Sequence, residues 1–220
     1  MKVLTVPQSG SMQGTTASHN RAGQYLRSRR SPVQPVGTGR KAAQRANFGA
    51  ASSGWSGLTD PQRAAWSAYA AGKPVTDALG QSIPLTGQQM FVSINAQLLN
   101  CGSAISLVPP ISTVVVIPVI TVFTVTHLGV ITLTLTPSGG ALDHILVAFG
   151  RPVSAGVSFH KTYWQADVLL GNSVGNATEG TKYQAQFGLP PVGTKVFLKL
   201  TPVNQYGVTG VPLMQTVIVI

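Results

Sequence analysis

Acid–base and metal chemistry need carboxylates and histidines brought together, and this chain has few of either. Its acids are Asp60, Asp77, Asp143, Asp167 and Glu179. Asp143 and His144 are adjacent, so on a strand they point to opposite faces and cannot orient one another. Folding would have to gather His127, His144 and His160 to build a metal site, and no i, i+4 pair or carboxylate partner accompanies them. They read as loop or strand-end residues; no catalytic group, metal or cofactor is expected. Cys101 is the single cysteine, which leaves no internal disulfide or cysteine-rich zinc site and suits a small buried hydrophobe.

Binding chemistry is better represented. Gly37-Thr38-Gly39-Arg40-Lys41 opens a predicted helix, and its amides with two cations would hold a phosphate. It lacks the G-x-x-x-x-G-K-[ST] spacing and follows no clear strand, so a flexible turn plus helix cap is the plainer reading. Asn176-Ala177-Thr178 matches a glycosylation pattern that has no secretory signal to accompany it. Trp55, Trp66 and Tyr69, near Arg45 and Arg63, either stack bases or fill a helical core. Arg27-Ser28-Arg29-Arg30, with Arg21 and Tyr25 before it and Arg40, Lys41 and Arg45 after it, is the stronger signal. Flexible arginines neutralise phosphates without needing a fold. The same residues would equally grip an acidic neighbouring subunit or stand solvated, and the three readings stay open.

The charge is distributed unevenly. Lys2, Arg21, Arg27, Arg29, Arg30, Arg40, Lys41 and Arg45 all precede the first carboxylate, Asp60; the remainder carries seven Lys/Arg against five acids, a balance of +2. An electropositive arm is joined to a nearly uncharged body. Charged residues make up 9% of the chain and mean hydropathy is +0.23, against about 25% charge in an ordinary soluble domain. Ser, Thr, Gln and Asn hydrate a surface more weakly than charges do, so neighbouring subunits are expected to cover much of it. Met1-Lys2-Val3-Leu4-Thr5-Val6-Pro7 turns polar before a signal-peptide core forms, so no secretion route is expected. Leu107 to Thr126 is uncharged and of bilayer length. Pro109, Pro110, Pro118 and many β-branched residues suit two extended segments better than a membrane span.

The elements follow from this patterning. Residues 1–37, rich in Gly, Ser, Thr and Pro without an apolar period, read as an extended basic arm, disordered when alone. Residues 38–102 read as a small helical module. Ala42, Ala43, Ala46, Ala50 and Ser53 form a small-residue stripe, and Thr59-Asp60-Pro61-Gln62 and Thr86-Gly87-Gln88-Gln89 have capping-box form. Residues 103–117 are a linker. Over 118–220 the period becomes two, with strands expected at 122–126, 130–136, 143–149, 165–170, 195–203 and 214–220. Thr178 to Phe187 reads as a short helix or a distorted strand. The fold class is α+β: basic arm, helical module and C-terminal antiparallel β-sandwich of fibronectin III/Ig-like type.

Val196-Phe197-Leu198-Lys199-Leu200-Thr201-Pro202-Val203-Asn204-Gln205-Tyr206-Gly207 and the strand after it resemble the F–G corner of a fibronectin type III sandwich. Phe197 stands near where that family has a tyrosine, and the early strands lack its tryptophan. Phe48 to Ala70, with Trp55, Leu58-Thr59, Gln62-Arg63 and Ala65-Trp66, is similar to phage and phage-like structural proteins. The first resemblance bears on the fold and not on activity; the second, with the basic arm and the weakly charged body, points to a non-enzymatic virion subunit: capsid, cement, connector or tail. Its partners would be copies of itself and other virion proteins, with nucleic acid through the arm as the alternative and no membrane.

Overall fold

The computed structural model describes residues 9–12, 15–20, 23–28, 39–76, 80–136, 140, 142–170 and 178–220. The chain is mixed α+β, its sheets all antiparallel. The first described strands, β1 (Gly10–Met12), β2 (Thr15–Asn20) and β3 (Gly23–Ser28), form a meander with β2 in the middle. The sequence predicts no element there, and the correction has a simple cause. A ladder between neighbouring segments closes short loops, and its backbone hydrogen bonds require no apolar face.

The helices are α1 (Gly39–Gly54), α2 (Asp60–Ala71) and α3 (Gly87–Asn100), with a 3-10 turn at Trp55–Gly57. Both predicted starts are found. Thr86 Oγ1 accepts from Gln89 N at 3.2 Å while Gln89 Oε1 accepts from Thr86 N at 2.9 Å; before α2, Gln62 Oε1 likewise accepts from Thr59 N at 2.9 Å. Each pair satisfies amides that a helix start leaves orphaned. Trp66 and Phe91 meet edge-to-face with ring centres 5.3 Å apart, and Ala51, Leu58, Ala70, Met90, Ile94 and Leu98 close the core around them. Sealing each large side chain from water contributes roughly 1.5–3 kcal/mol. Between α2 and α3 a two-stranded ladder, β4 (Val75–Thr76) with β5 (Ser82–Ile83), returns the chain.

The C-terminal region holds a second core. β6 (Val119–Val125) pairs with β7 (Ile131–Thr136). β8 (His144–Phe149), β9 (Trp164–Leu170), β10 (Lys195–Val203) and β11 (Leu213–Ile218) form a four-stranded sheet in the order β11-β10-β8-β9. Helix α4 (Thr178–Phe187) resolves the helix-or-strand alternative in favour of the helix. Ile131, Leu133 and Leu135 from β7 face Ile145, Val147 and Phe149 of β8 and Val196, Leu198 and Leu200 of β10, while the threonines of β7 point away. That alternation is the two-residue period of the sequence. Tyr183 of α4 packs edge-to-face on Phe149, and Gln184 Nε2 donates to Leu128 O at 3.1 Å, seating α4 beside the β6–β7 hairpin. No helix among the described residues is long and apolar enough to cross a membrane.

Residues 103–117, read as a linker, are strapped down at two places by buried asparagines. Asn95 of α3 accepts from Ser106 N at 2.6 Å and donates to Ser106 O at 3.2 Å. Asn204, just past β10, donates to Ser112 O and Val114 O, each at 3.1 Å. Trp66 Nε1 adds a bond to Leu107 O at 3.0 Å. Every one of these joins a side chain to a backbone carbonyl or amide of the strap.

Candidate functional site

The residues proposed for contact divide between two elements. Arg21, Arg29 and Arg30 lie outside the described residues. Tyr25 and Arg27 belong to β3, opposite Ser18 and Thr16 of β2. Arg40, Lys41 and Arg45 are on α1, whose first half is exposed. Of the phosphate-loop candidate, Gly37 and Thr38 lie outside the described residues, and Gly39 is the first residue of α1.

Helical geometry separates the three cations. Arg40, Gln44, Asn47 and Ala51 fall on one stripe of α1, the side toward the body. Ala51 is buried, Asn47 Nδ2 donates to Asn100 Oδ1 at 2.9 Å, and Arg40 Nη1 donates to Gln165 O at 2.8 Å. Gln165 is on β9, an edge strand of the larger sheet, so Arg40 covers a carbonyl at an otherwise unpaired edge. Partial burial lowers the pKa of its guanidinium, which nevertheless stays charged. Lys41, Arg45 and Phe48 form the adjacent stripe, and with Gln44 they line a depression of about 330 Å³. The ring of Phe48 is 59% exposed, and no acid stands in the first turn of the helix.

Three of the acids among the described residues have partners in the body. Asp60 pairs with Arg63 at 3.4 Å, Asp167 pairs with Lys182 of α4, and Asp143 accepts from Gln205 N and Gly140 N at 2.8 Å each. Glu179 is fully buried.

The histidines are dispersed. His144 Nε2 meets Ser103 Oγ at 2.8 Å, and its buried Nδ1 has no partner. Desolvation lowers the pKa of His144, against a smaller raising effect of Asp143. His160 lies against Gly150, just past the far end of β8, stacked on Phe197, and His127 is exposed at the β6–β7 turn. Among the described residues no three His, Cys, Asp or Glu side chains form a metal-type cluster. Cys101 is buried, its thiol pushed up to about 11 by desolvation. Trp66 is core rather than an exposed stacking platform, and Tyr69 is half-buried with Lys73 Nζ 5.9 Å from its ring centre.

Where the helices meet the C-terminal region, Tyr69, Lys73, Ser93 and Gln97 face Thr113 and Thr209 across a cavity of about 320 Å³. An apolar surface lies along the neighbouring strap. Ile111 is 84% and Val114 73% exposed, and Leu107, Val108, Val116, Ile117 and Val119 are exposed as well. Phe48 and Gln44 of the α1 depression, and the anchoring of the strap, were not expected from sequence. The one available signal was Phe48 itself, seven residues after Lys41 and three after Arg45. No family model matches the chain, and no curated protein or solved structure matches it either.

Proposed function

We propose that this chain is a non-enzymatic structural subunit of a large assembly, of the phage virion class, with a fibronectin type III-like sandwich at its C-terminus. The observation that carries the assembly reading is the exposed apolar strap. From Ala78 to Leu142 the chain has no Asp, Glu, Lys or Arg, and its 107–119 segment turns seven large aliphatic side chains outward. A protein that stays alone in water rarely exposes a contiguous apolar surface of that kind. The sandwich assignment is supported by the sheet order β11-β10-β8-β9, which corresponds to G-F-C with one further strand beside C. Helix α4 stands in chain order where strands D and E are usual. The virion class rests on the resemblance of residues 48–70 to phage proteins, and virion localisation follows from it.

The experiment is sedimentation of the full chain at about 0.15 M and about 1 M NaCl, where the Debye length falls from about 8 Å to about 3 Å. A strap-mediated assembly persists at high salt. The double variant Ile111→Asp/Val114→Asp, at positions too exposed to serve either core, leaves circular dichroism unchanged and dissociates the particle. Monomers at every concentration, or particles indifferent to the double variant, overturn the reading. The alternative, nucleic-acid binding through the arm, is favoured by one observation, the run Arg27-Ser28-Arg29-Arg30 with Arg21 before it.

A further inference from the structure

We infer that the cavity between α2, α3, the strap and the turn before β11 binds a small acidic sugar, a ring with several hydroxyls and one carboxylate. This goes beyond the assembly reading and does not rest on it. The lining comes from four places in the chain: Tyr69 and Lys73 at the end of α2, Ser93 and Gln97 one turn apart on α3, Thr113 of the strap, and Thr209 of the turn. Among the described residues none of these six side chains has a hydrogen-bond or ion-pair partner, and Lys73 Nζ lies only over the Tyr69 ring, 5.9 Å from its centre. Burial raises the pKa of Tyr69, so its hydroxyl stays a neutral donor. Beneath these groups Met90, Ile94 and Val208 form an apolar floor. The volume, about 320 Å³, is at the small end of ligand pockets and suits one sugar ring.

The chemistry of the lining selects the class of ligand. Tyr69, Ser93, Gln97, Thr113 and Thr209 can each donate and accept, and an apolar ligand would strip them of water without replacing its bonds. A hydroxylated ring replaces those bonds and lays its C–H edge on the apolar floor. Among the described residues lining the cavity Lys73 carries the one charge, and there is no carboxylate. A ligand ammonium therefore finds no counterion, whereas a single carboxylate does. The walls are also fixed before a ligand arrives. Asn204 Nδ2 donates to the carbonyls of Ser112 and Val114, which bracket Thr113, and Asn204 Oδ1 accepts from the N–H of Val208, the neighbour of Thr209. Gly207 has a φ of +82°, and a Cβ there would lie 2.8 Å from Ile94 O, so the turn sits directly on α3. Polar groups carried on an anchored backbone lose little freedom when they bind.

The test is a ligand-observed NMR titration of the full chain with D-glucuronate, D-glucose, glucose 6-phosphate and acetate. Glucuronate is expected to bind most tightly, because it alone offers the hydroxyls together with one carboxylate. Lys73→Gln is expected to weaken glucuronate binding about tenfold and to leave glucose binding unchanged. Ser93→Ala/Thr209→Ala is expected to weaken both sugars about tenfold, since two hydrogen bonds to the ring are lost, and to leave acetate unchanged. All three positions are exposed, so circular dichroism of both variants should match that of the wild type. The inference is overturned if glucuronate does not bind at about 10 mM, if glucose or glucose 6-phosphate binds as tightly, if acetate displaces glucuronate at equal concentration, or if either variant binds glucuronate as the wild type does.

Discussion

At the scale of single residues, His144 shows how burial gives a side chain a pH-dependent energetic role. Its ring begins β8, bonded to Ser103 Oγ through Nε2, while Nδ1 is buried and unpartnered. A protonated imidazole would direct its second N–H at nothing, and desolvation lowers its pKa from the ordinary 6.5. The unfolded chain therefore binds a proton more readily than the folded one as pH falls below about 6.5. The contribution of the neutral ring is fully present above that pH and is lost as acidification proceeds toward the folded pKa. Urea midpoints measured from about pH 7.5 to about pH 5 should fall more steeply for the wild type than for His144→Gln, which keeps a partner for Ser103 and does not titrate. Equal slopes would show that the imidazole is already charged, or hydrated, in the folded protein.

At the scale of elements, the crossing of α2 and α3 depends on a missing side chain. A Cβ on Gly87 would lie 2.6 Å from Ser67 Oγ, 2.8 Å from Ser67 N and 2.9 Å from its Cα, and the backbone atoms cannot swing aside. Gly87→Ala should cost about 1–3 kcal/mol by forcing the helices apart, or about 3–10 °C in Tm for a chain of this size. Gly57→Ala, where an added Cβ meets nothing within 4 Å, should leave Tm nearly unchanged. This contrast also marks what could be read in advance. The starts of α2 and α3 were legible because a capping box is local, confined to Thr59–Gln62 and Thr86–Gln89. Strand β7 was legible because one buried face imposes alternation on its residues. The close approach at Gly87 was not, because Ser67 is twenty positions away and nothing in the helix pattern distinguishes that glycine from a capping one. The β1–β3 meander was missed because its pairing carries no apolar alternation. Of the contact site, Arg40, Lys41 and Arg45 were legible as charge, whereas the inward turn of Arg40 and the outward turn of Phe48 depend on how α1 rotates against α3.

At the scale of the whole molecule, two apolar cores are joined by a strap that belongs structurally to both. Asn95 holds its first half to the helices, and Asn204 holds its second half to the C-terminal sheet. Asn204 Oδ1 also accepts from Tyr206 N and Val208 N, at 3.1 and 2.9 Å, so one buried side chain organises the turn after β10 and the strap together. Close packing reinforces the arrangement: a Cβ on Gly210 would lie 2.7 Å from Val115, and one on Gly207 2.8 Å from Leu98 of α3. The boundary between the units is then set by hydrogen bonding rather than by composition, and truncation tests where it falls. A fragment of residues 118–220 retains the C-terminal core but leaves the amide of Asn204 without the carbonyls of Ser112 and Val114. A fragment of residues 111–220 retains both. An unpaired buried donor costs about 1–3 kcal/mol, so the longer fragment should unfold at higher urea by that margin while both show β-type circular dichroism. Substituting Asn204→Ala in each should then close the gap, since the shorter fragment has already lost the bonds that the strap receives. Equal stability of the two fragments would place the strap with the helices, and failure of both to fold without residues 39–102 would make the two cores a single cooperative unit.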